Sequence, residues 1–219
     1  MNDRIITKRN VKRIASKSHN ALEWLDIWES AKTYYDGERS MGYGGYSYDG
    51  RWKEVVSDIL KYYKLNKNDN LLDVGCAKGF LVNDFNDNPN VGFAKGLDIS
   101  MYALLSGLNL GMKGDFVCGN AMDLPFENKE FSLVFSKDTL HNILNKNELI
   151  LALKEIQRVG VKSWIRVGAY ENHQQKKILD DWATFATSYF HIDEWYKIFE
   201  VSGYKGDYDW FHPTEYING

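Results

Sequence analysis

The sequence predicts an α/β protein in which helices cover both faces of a parallel β-sheet. Between residues 70 and 170, short apolar stretches of strand length alternate with longer stretches of helical periodicity. Phe131–Phe135 is almost wholly apolar, as expected of a central strand that is buried on both faces. Strands that alternate with helices pair in parallel, because each helix returns the chain to the end at which the previous strand began.

Length and composition favour one soluble domain. The 219 residues suffice for a single well-buried domain, and we expect it to span residues 1–219. A net charge of −3 provides no strong attraction to nucleic acid or to an anionic membrane. No apolar run is long enough to span a bilayer and no secretory signal is evident, so we expect a cytoplasmic protein with two reduced cysteines.

Residues 1–69 are predicted to form an N-terminal helical cap and lid. Basic and apolar residues are interspersed over residues 4–17, which we interpret as the solvated face of a short helix, with a binding arm as the alternative. Helical periodicity recurs over Ala21–Tyr35 and Arg51–Tyr63. Between these helices, Met41–Gly50 holds four glycines and three tyrosines, which predicts a loop.

The predicted sheet and its helices occupy residues 70–219. The predicted strands are Leu71–Val74, Ala94–Ile99, Asp115–Cys118, Phe131–Phe135, Ser163–Val167 and Asp207–Phe211. The predicted helices are Phe80–Phe85, Met101–Leu110, Lys146–Val159, Gln174–Thr187 and Asp193–Ser202. This alternation places the end of each strand and the start of the next helix at one edge of the sheet.

The turn after the first strand is rich in small residues. In parallel sheets such a turn lies at the carboxyl ends of the strands, where ligands bind. A dinucleotide would favour Gly-x-Gly-x-x-Gly, but Ala77 and Phe80 occupy the second and third glycine positions of that template. S-Adenosylmethionine instead presents an ammonium and a carboxylate, which Asp73 and the loop backbone could meet. Asp98, nineteen residues beyond Gly79, could accept hydrogen bonds from both ribose hydroxyls.

Four segments resemble the successive motifs of class I S-adenosylmethionine-dependent methyltransferases in their order and separation. They are residues 73–80, 96–100, 119–126 and 131–136, and together they cover roughly residues 70–170. The resemblance implies a Rossmann-like fold with an antiparallel strand at the C-terminal end, S-adenosylmethionine as cofactor and methyl transfer as activity. Two positions depart from the pattern: Ala77 replaces the more usual middle glycine, and Asn120 stands where many relatives have aspartate.

The resemblance also assigns the cofactor contacts. For the methionine part it implies Gly75, Cys76, Ala77, Gly79 and Ser136, for the ribose Asp98, and for the adenine Ile99, Asn120 and Ala121. Asp73, for the ammonium, and Phe80 complete the residues that we expect to bind the cofactor. The alternative for the two aspartates is that they cap a turn or a helix.

Methyl transfer to a hydroxyl requires that its proton be removed, and histidine is the usual base. His141 follows the fourth strand, so we expect it to face the cleft and act as the catalytic base, with Asp138 orienting it or acting itself. The alternative is that His141 only forms hydrogen bonds within its loop.

The acceptor is expected to bind under the tyrosine-glycine loop. Tyr43, Tyr46 and Tyr48 would provide flat hydrogen-bonding walls, and Arg51 could bind a carboxylate or phosphate. The alternative is a packed aromatic cluster beneath a static loop. A loose similarity of this loop and of the C-terminal tail to small bacterial methyltransferases favours a small-molecule substrate, most simply an oxygen of a saccharide or similar metabolite.

Several other functions are less well supported. Residues 136–139 lack the Asn/Asp-Pro-Pro-aromatic tetrad of enzymes that methylate base amines, which makes nucleic acid unlikely as acceptor. The spacing of His173, His191 and His212 matches no metal-ligand pattern, so we expect no metal. An RNA or protein methyltransferase, a non-catalytic S-adenosylmethionine-binding regulator and a dinucleotide-dependent oxidoreductase remain as alternatives, and a homodimer is the one protein assembly we consider.

Overall fold

A computed structural model describes residues 31–38, 41–42, 45–182 and 188–211. The strands are β1 (Asn70–Val74), β2 (Phe93–Asp98), β3 (Asp115–Cys118), β4 (Phe131–Lys137), β5 (Gly160–Tyr170), β6 (Phe190–His191) and β7 (Asp207–Phe211). The helices are α1 (Ala31–Asp36), α2 (Trp52–Tyr63), α3 (Phe80–Asn86), α4 (Met101–Asn109), α5 (Lys146–Val159), α6 (His173–Trp182) and α7 (Ile192–Ser202). A 3-10 turn, Leu140–Asn142, follows β4.

The sheet has the order β3-β2-β1-β4-β5-β6, and β7 also pairs with β5. All of these pairings are parallel. The carboxyl ends of β1, β2, β3 and β4 therefore lie along one edge, which is called the carboxyl edge below. The predicted α/β fold with a parallel, Rossmann-like sheet is confirmed.

The prediction of an antiparallel C-terminal strand is wrong. β7 runs parallel to β5, with Trp164 opposite Asp207 and Gly168 opposite Phe211. The reason is the connection, because α7 carries the chain back along the sheet before β7 begins. A strand reached through a helical crossover enters the sheet in the same direction as its neighbour.

Helices cover both faces of the sheet. On one face, α5 and α7 bury apolar side chains such as Leu153, Ile156 and Trp195 against Val134 and Ile165. On the other face, α2 and α3 pack on residues such as Leu71, Phe135 and Trp164. Burial of this kind stabilises a fold by about 25 cal/mol per Å² of apolar surface removed from water.

Part of the predicted N-terminal cap and lid belongs to the main body of the fold instead. Helix α2 buries Val55, Val56 and Ile59 in the core, each about 1% exposed, so this helix is part of the main body rather than of a lid. Only α1 and residues 37–38, 41–42 and 45–50 belong to the described part of the predicted lid. The basic stretch at residues 4–17 and most of the helix predicted for Ala21–Tyr35 lie outside the described residues.

Candidate active site

The loop between β1 and α3 folds over the end of β2. The backbone N–H groups of Gly75 and Cys76 both donate to the Leu97 carbonyl oxygen, at 2.7 and 3.1 Å. The Gly79 N–H donates to the Cys76 carbonyl, at 2.9 Å, and closes the turn before α3 begins. The loop is thus fixed at the carboxyl edge by three backbone hydrogen bonds.

Two positions in this loop can hold only glycine. Gly75 has φ +86°, and a Cβ there would lie 2.2 Å from the Thr139 side chain. Gly79 has φ +72°, and a Cβ there would lie 2.3 Å from the ring of Phe116. Ala77 is also left-handed, with φ +52°, so the loop keeps the backbone that a glycine would adopt even where the sequence departs from the family pattern.

The Asp98 side chain is held by the backbone around it. Its Oδ2 accepts the Ala77 N–H and its Oδ1 accepts the Ser100 N–H, each at 2.8 Å. Burial raises the pKa of Asp98, and these backbone hydrogen bonds oppose the rise. Asp98 therefore joins the glycine loop to the start of α4.

Asp73 is a buried carboxyl group whose burial is only partly compensated, by the cation of Lys137. Burial, with a smaller contribution from the negative charge of Asp98, raises the pKa of Asp73 to about 8, and Lys137 opposes the rise. At neutral pH this carboxyl group is mostly protonated. A ligand that brings a positive charge beside Asp73 would favour its ionised form.

We expect Asp73→Asn to stabilise the ligand-free protein increasingly as the pH rises. The folded pKa of Asp73 lies above its unfolded value, so wild-type stability is fully present below about pH 4 and is lost up to about pH 8, by about 1.4 kcal/mol per pH unit at most. Urea unfolding of both proteins at pH 5, 6.5 and 8 checks this. If the wild type and Asp73→Asn differ in the free energy of unfolding by the same amount at all three pH values, the prediction is contradicted.

The residues predicted to contact adenine lie at the ends of β2 and β3. Ile99 directly follows Asp98 and is 74% exposed, which leaves an apolar side chain at the edge. The Asn120 Oδ1 accepts the Met122 N–H at 3.0 Å, and the amide NH₂ of Asn120 is the hydrogen-bond donor of the same side chain. Ala121 packs partly against the core.

Three predicted contacts of the methionine part are more deeply buried. Cys76 packs in the core, where burial raises the pKa of its thiol well above its usual value. Ser136 is fully buried and its hydroxyl donates to the Val74 carbonyl, at 2.8 Å, within the sheet. Phe80 is 1% exposed and packs against Tyr46. Their cofactor contacts stay predictions.

His141 lies in the 3-10 turn after β4 and is 5% exposed. Its Nδ1 accepts the Gly168 N–H at 3.2 Å. In a neutral imidazole with an accepting Nδ1, the proton is on Nε2. The ring in this arrangement has no second lone pair with which to take a proton, so a base role would require the Gly168 hydrogen bond to break.

Asp138 lies at the centre of a charged cluster. It pairs with Lys137, and its Oδ1 lies 3.4 Å from the Arg166 Nε. Burial alone would raise the pKa of Asp138, but Arg166, Lys137 and His141 together hold it well below its usual range. Asp138 is therefore an ionised carboxylate with little affinity for a proton.

Sequence reasoning missed Lys137 and Arg166. Their side chains are 17% and 11% exposed, and they lie opposite each other in the register of β4 and β5. The available signal was a charged residue next to buried apolar positions, at the end of β4 and within β5. Lysine and arginine are rarely buried without a partner, so such positions indicate a site or a buried ion pair.

The described tyrosines of the loop pack on α3. Tyr46 stacks on Phe80 with ring centroids 4.7 Å apart, and the Tyr48 hydroxyl donates to Asp84, which raises the pKa of Tyr48 to about 12. Arg51 is paired with Asp49 at the surface, with its Nε 2.6 and 2.7 Å from the two carboxylate oxygens. Tyr43 lies outside the described residues.

A buried lysine connects the glycine loop to α1. The Lys78 Nζ, with its side chain 4% exposed, lies 2.5 Å from Asp36 and donates to the Tyr46 carbonyl at 2.9 Å. The Tyr102 hydroxyl donates to the second oxygen of Asp36, at 2.8 Å. Helix α1 and Tyr46 are thus joined to Lys78 of the glycine loop, and α1 also to Tyr102 of α4.

The described residues contain no helix that is long and apolar enough to cross a membrane. In the same part of the chain, no three His, Cys, Asp or Glu side chains come together as a group that could hold a metal ion.

Comparison with known proteins identifies the central segment. A family model described as a methyltransferase domain matches residues 72–162. The chain is 32% identical over 119 residues to the mouse mitochondrial arginine-hydroxylase NDUFAF5, and 28% identical over 112 residues to the methyltransferase YrhH of Bacillus subtilis. These alignments cover 54% and 49% of this chain but only 32% and 60% of the two relatives.

Solved structures share the fold. A chain of a Haloferax volcanii methyltransferase complex with the activator Trm112 has a TM-score of 0.54 at 20% identity, covering 71% of this chain and 73% of that one. A methyltransferase of Bacillus halodurans has a TM-score of 0.52 at 22% identity, covering 68% of each chain. Residues 72–162 therefore match a methyltransferase domain, and the chain shares the fold of these methyltransferase structures; S-adenosylmethionine is the cofactor that domains of this kind use.

Proposed function

We propose that the whole chain transfers a methyl group from S-adenosylmethionine to an oxygen of a small-molecule acceptor, such as a saccharide or a similar metabolite. The observation that carries the proposal is the pair of buried carboxyl groups, Asp73 and Asp98, on either side of the glycine loop at the carboxyl edge. Burial raises the pKa of Asp73, and Asp98 is held by two backbone hydrogen bonds at the end of β2.

The residues at this edge fit the cofactor. Asp98 would accept the two ribose hydroxyls, Ile99 and Asn120 would border the adenine, and Asp73 with the Gly75–Gly79 backbone would meet the amino-acid end. The raised pKa of Asp73 supports this, because a cationic ammonium compensates a buried carboxylate. The bound cofactor supplies an electrophilic methyl group on a sulfonium.

The chain's own residues position the acceptor and exclude water. Helix α1 and residues 45–48 contact Lys78 and Phe80 next to the glycine loop, and a covered site keeps the reacting atoms away from solvent. We propose that the methyl acceptor binds on the side of the tyrosine-glycine loop. Its candidate contacts there are Tyr43, Tyr46, Tyr48 and Arg51. His141 and Asp138 remain the candidate catalytic pair, and the Gly168 hydrogen bond favours a positioning role for His141 over proton removal.

A methyl-label transfer experiment tests the proposal. The purified chain is mixed with S-adenosylmethionine labelled at the methyl group and with three separate acceptor fractions: small metabolites, RNA and protein. We expect S-adenosylhomocysteine to form and the label to enter the small-metabolite fraction. Label in RNA or protein would contradict the small-molecule acceptor. Stoichiometric cofactor binding with no methyl transfer to any fraction would favour the alternative of a non-catalytic S-adenosylmethionine-binding regulator.

A homodimer and a cytoplasmic location also stay proposals. In support of a dimer, Met101, Leu105 and Leu108 share one face of α4 and are each about half exposed, within residues 99–112 that carry no charge. Exposed apolar patches of this kind mark interaction sites. Sedimentation equilibrium tests the dimer, and we expect Leu108→Glu to yield a monomer. A wild-type chain that sediments as a monomer at every concentration would contradict it.

A further inference from the structure

We propose that the acceptor oxygen belongs to a carboxylate bound by Lys137, so that the product is a methyl ester. The inference rests on the proposed function and narrows its acceptor. It follows from two features of the carboxyl edge: the described residues there include no group arranged to take a proton from a hydroxyl, and a buried ammonium group, that of Lys137, pairs with Asp138 and interacts electrostatically with Asp73.

The first feature concerns the groups that could act as a base. The Nδ1 lone pair of His141 accepts the Gly168 N–H, at 3.2 Å, and a neutral ring then carries its proton on Nε2. The Gly168 peptide is itself fixed, because its carbonyl oxygen accepts the Trp195 Nε1–H at 3.0 Å. Rotation of His141 out of this arrangement would leave the buried Gly168 N–H unpaired, at a cost of about 1–3 kcal/mol.

Asp138 is the second candidate base. Two cationic side chains, Lys137 and Arg166, lie against its oxygens, and they stabilise the ionised form. A carboxylate with so low a pKa is too weak a base to deprotonate an alcohol. Asp73 has a higher pKa, but in the proposed function this carboxyl group faces the ammonium of the cofactor.

A carboxylate acceptor removes the need for a base. At neutral pH it already carries a negative charge, whereas the hydroxyl of a sugar holds its proton. In the transfer, a carboxylate oxygen forms the bond to the methyl carbon, the bond between that carbon and the sulfonium sulfur breaks, and its electron pair stays on the sulfur. An anion and a cation become two neutral groups, and no proton is gained or lost.

The second feature is the position of Lys137. Its Nζ pairs with Asp138 and lies 5.1 Å from the centre of the Trp52 ring, whose buried Nε1–H has no hydrogen-bond partner among the described residues. An ammonium has three N–H donors, so the pair with Asp138 leaves donors for a second carboxylate. Asp73 interacts with Lys137 only electrostatically, and in the proposed function its carboxylate faces the ammonium of the cofactor instead.

Arg166 contributes a positive field but is shared with other groups. It pairs with Asp138, lies 5.0 Å from the Phe211 ring, and has Asp209 opposite it in the register of β5 and β7. Lys137 is therefore the cation that we assign to the acceptor.

Product chemistry distinguishes a methyl ester from other products. The chain is incubated with methyl-labelled S-adenosylmethionine and either glucuronate or glucose, and with benzoate or benzyl alcohol as a second matched pair. We expect the label to enter only the carboxylates and to be released as methanol in mild alkali. Label that is stable to alkali, or that enters glucose or benzyl alcohol, would overturn the carboxylate assignment. If none of these acceptors, nor the small-metabolite fraction, leads to formation of S-adenosylhomocysteine, the proposed function itself fails.

A binding measurement isolates Lys137. We expect Lys137→Gln to weaken calorimetric binding of glucuronate at least tenfold and to leave the affinity for S-adenosylhomocysteine within twofold, while Lys137→Arg keeps most of the glucuronate affinity. Lys95→Gln is the matched control, because Lys95 also pairs with an aspartate, Asp115, and lies over a ring, Phe126, but belongs to the amino half of β2. A loss of S-adenosylhomocysteine affinity in Lys137→Gln, with unchanged glucuronate binding, would assign Lys137 to the cofactor and overturn the inference.

Discussion

Gly75→Ala is expected to lower the free energy of unfolding by about 3 kcal/mol and to abolish S-adenosylhomocysteine binding. Two effects combine. The backbone at φ +86° is unfavourable for any residue with a Cβ, by about 1–2 kcal/mol. The added Cβ would also lie 2.2 Å from Thr139, and relief of such overpacking typically costs a further 1–3 kcal/mol. Urea unfolding and calorimetric titration with S-adenosylhomocysteine measure the two results.

Binding should be lost because the clash moves the loop itself. Thr139 belongs to the segment after β4, and its hydroxyl already contacts the Gly75 and Lys137 carbonyl oxygens, at 3.3 and 3.2 Å. If the Gly75 backbone shifts away from Thr139, the hydrogen bonds from Gly75 and Cys76 to the Leu97 carbonyl are strained as well. The cofactor would then meet a displaced backbone.

Gly111→Ala is the matched control. Gly111 has φ +79°, close to that of Gly75, but a Cβ built there meets nothing within 4 Å. We expect this variant to lose only the 1–2 kcal/mol of backbone strain and to bind S-adenosylhomocysteine like the wild type. Equal losses of stability in the two variants would mean that the contact with Thr139 contributes nothing, and unimpaired binding by Gly75→Ala would contradict the role of the loop.

The fold could be read from the sequence wherever local pattern and tertiary structure agree. Phe131–Phe135 has the composition of a strand buried on both faces, and it lies at the centre of the sheet. The spacing between the glycine loop and Asp98 follows from one strand–helix–strand unit, so the contact between Asp98 and Ala77 was within reach of the sequence. The direction of β7 could not be read from the sequence, because it depends on how α7 returns the chain to the sheet.

The chemistry of the site was harder to predict because it depends on residues distant in sequence. Whether His141 can act as a base is decided by the N–H of Gly168, twenty-seven residues away, which no local pattern around His141 reveals. Lys137 and Arg166 come together only through the register of β4 and β5. For Tyr46 and Tyr48, composition predicted the loop but not the packing on α3, which supports the alternative of an aromatic cluster beneath the loop.

Asp98→Asn is expected to reduce the affinity for S-adenosylhomocysteine about 100-fold and the free energy of unfolding by about 2 kcal/mol. The substitution keeps the size of the side chain but replaces one acceptor oxygen by an NH₂ donor. Each oxygen of Asp98 accepts a backbone N–H at 2.8 Å, so the new NH₂ must face either the Ala77 or the Ser100 N–H. That backbone N–H loses its acceptor at a buried position and lies against the new NH₂ donor.

The loss of affinity has a separate origin from the loss of stability. A carboxylate can accept both ribose hydroxyls through charge-assisted hydrogen bonds, which contribute about 1.5–3 kcal/mol each, and an amide offers one acceptor and no charge. Asp115→Asn, on the neighbouring strand, removes an exposed carboxylate that lies 3.4 Å from Lys95, and surface pairs of this kind contribute little. We expect this control to bind and unfold like the wild type. Binding by Asp98→Asn within threefold of the wild type would instead make Asp98 a cap for the loop and α4, because a purely structural carboxylate affects stability without selecting for a ribose.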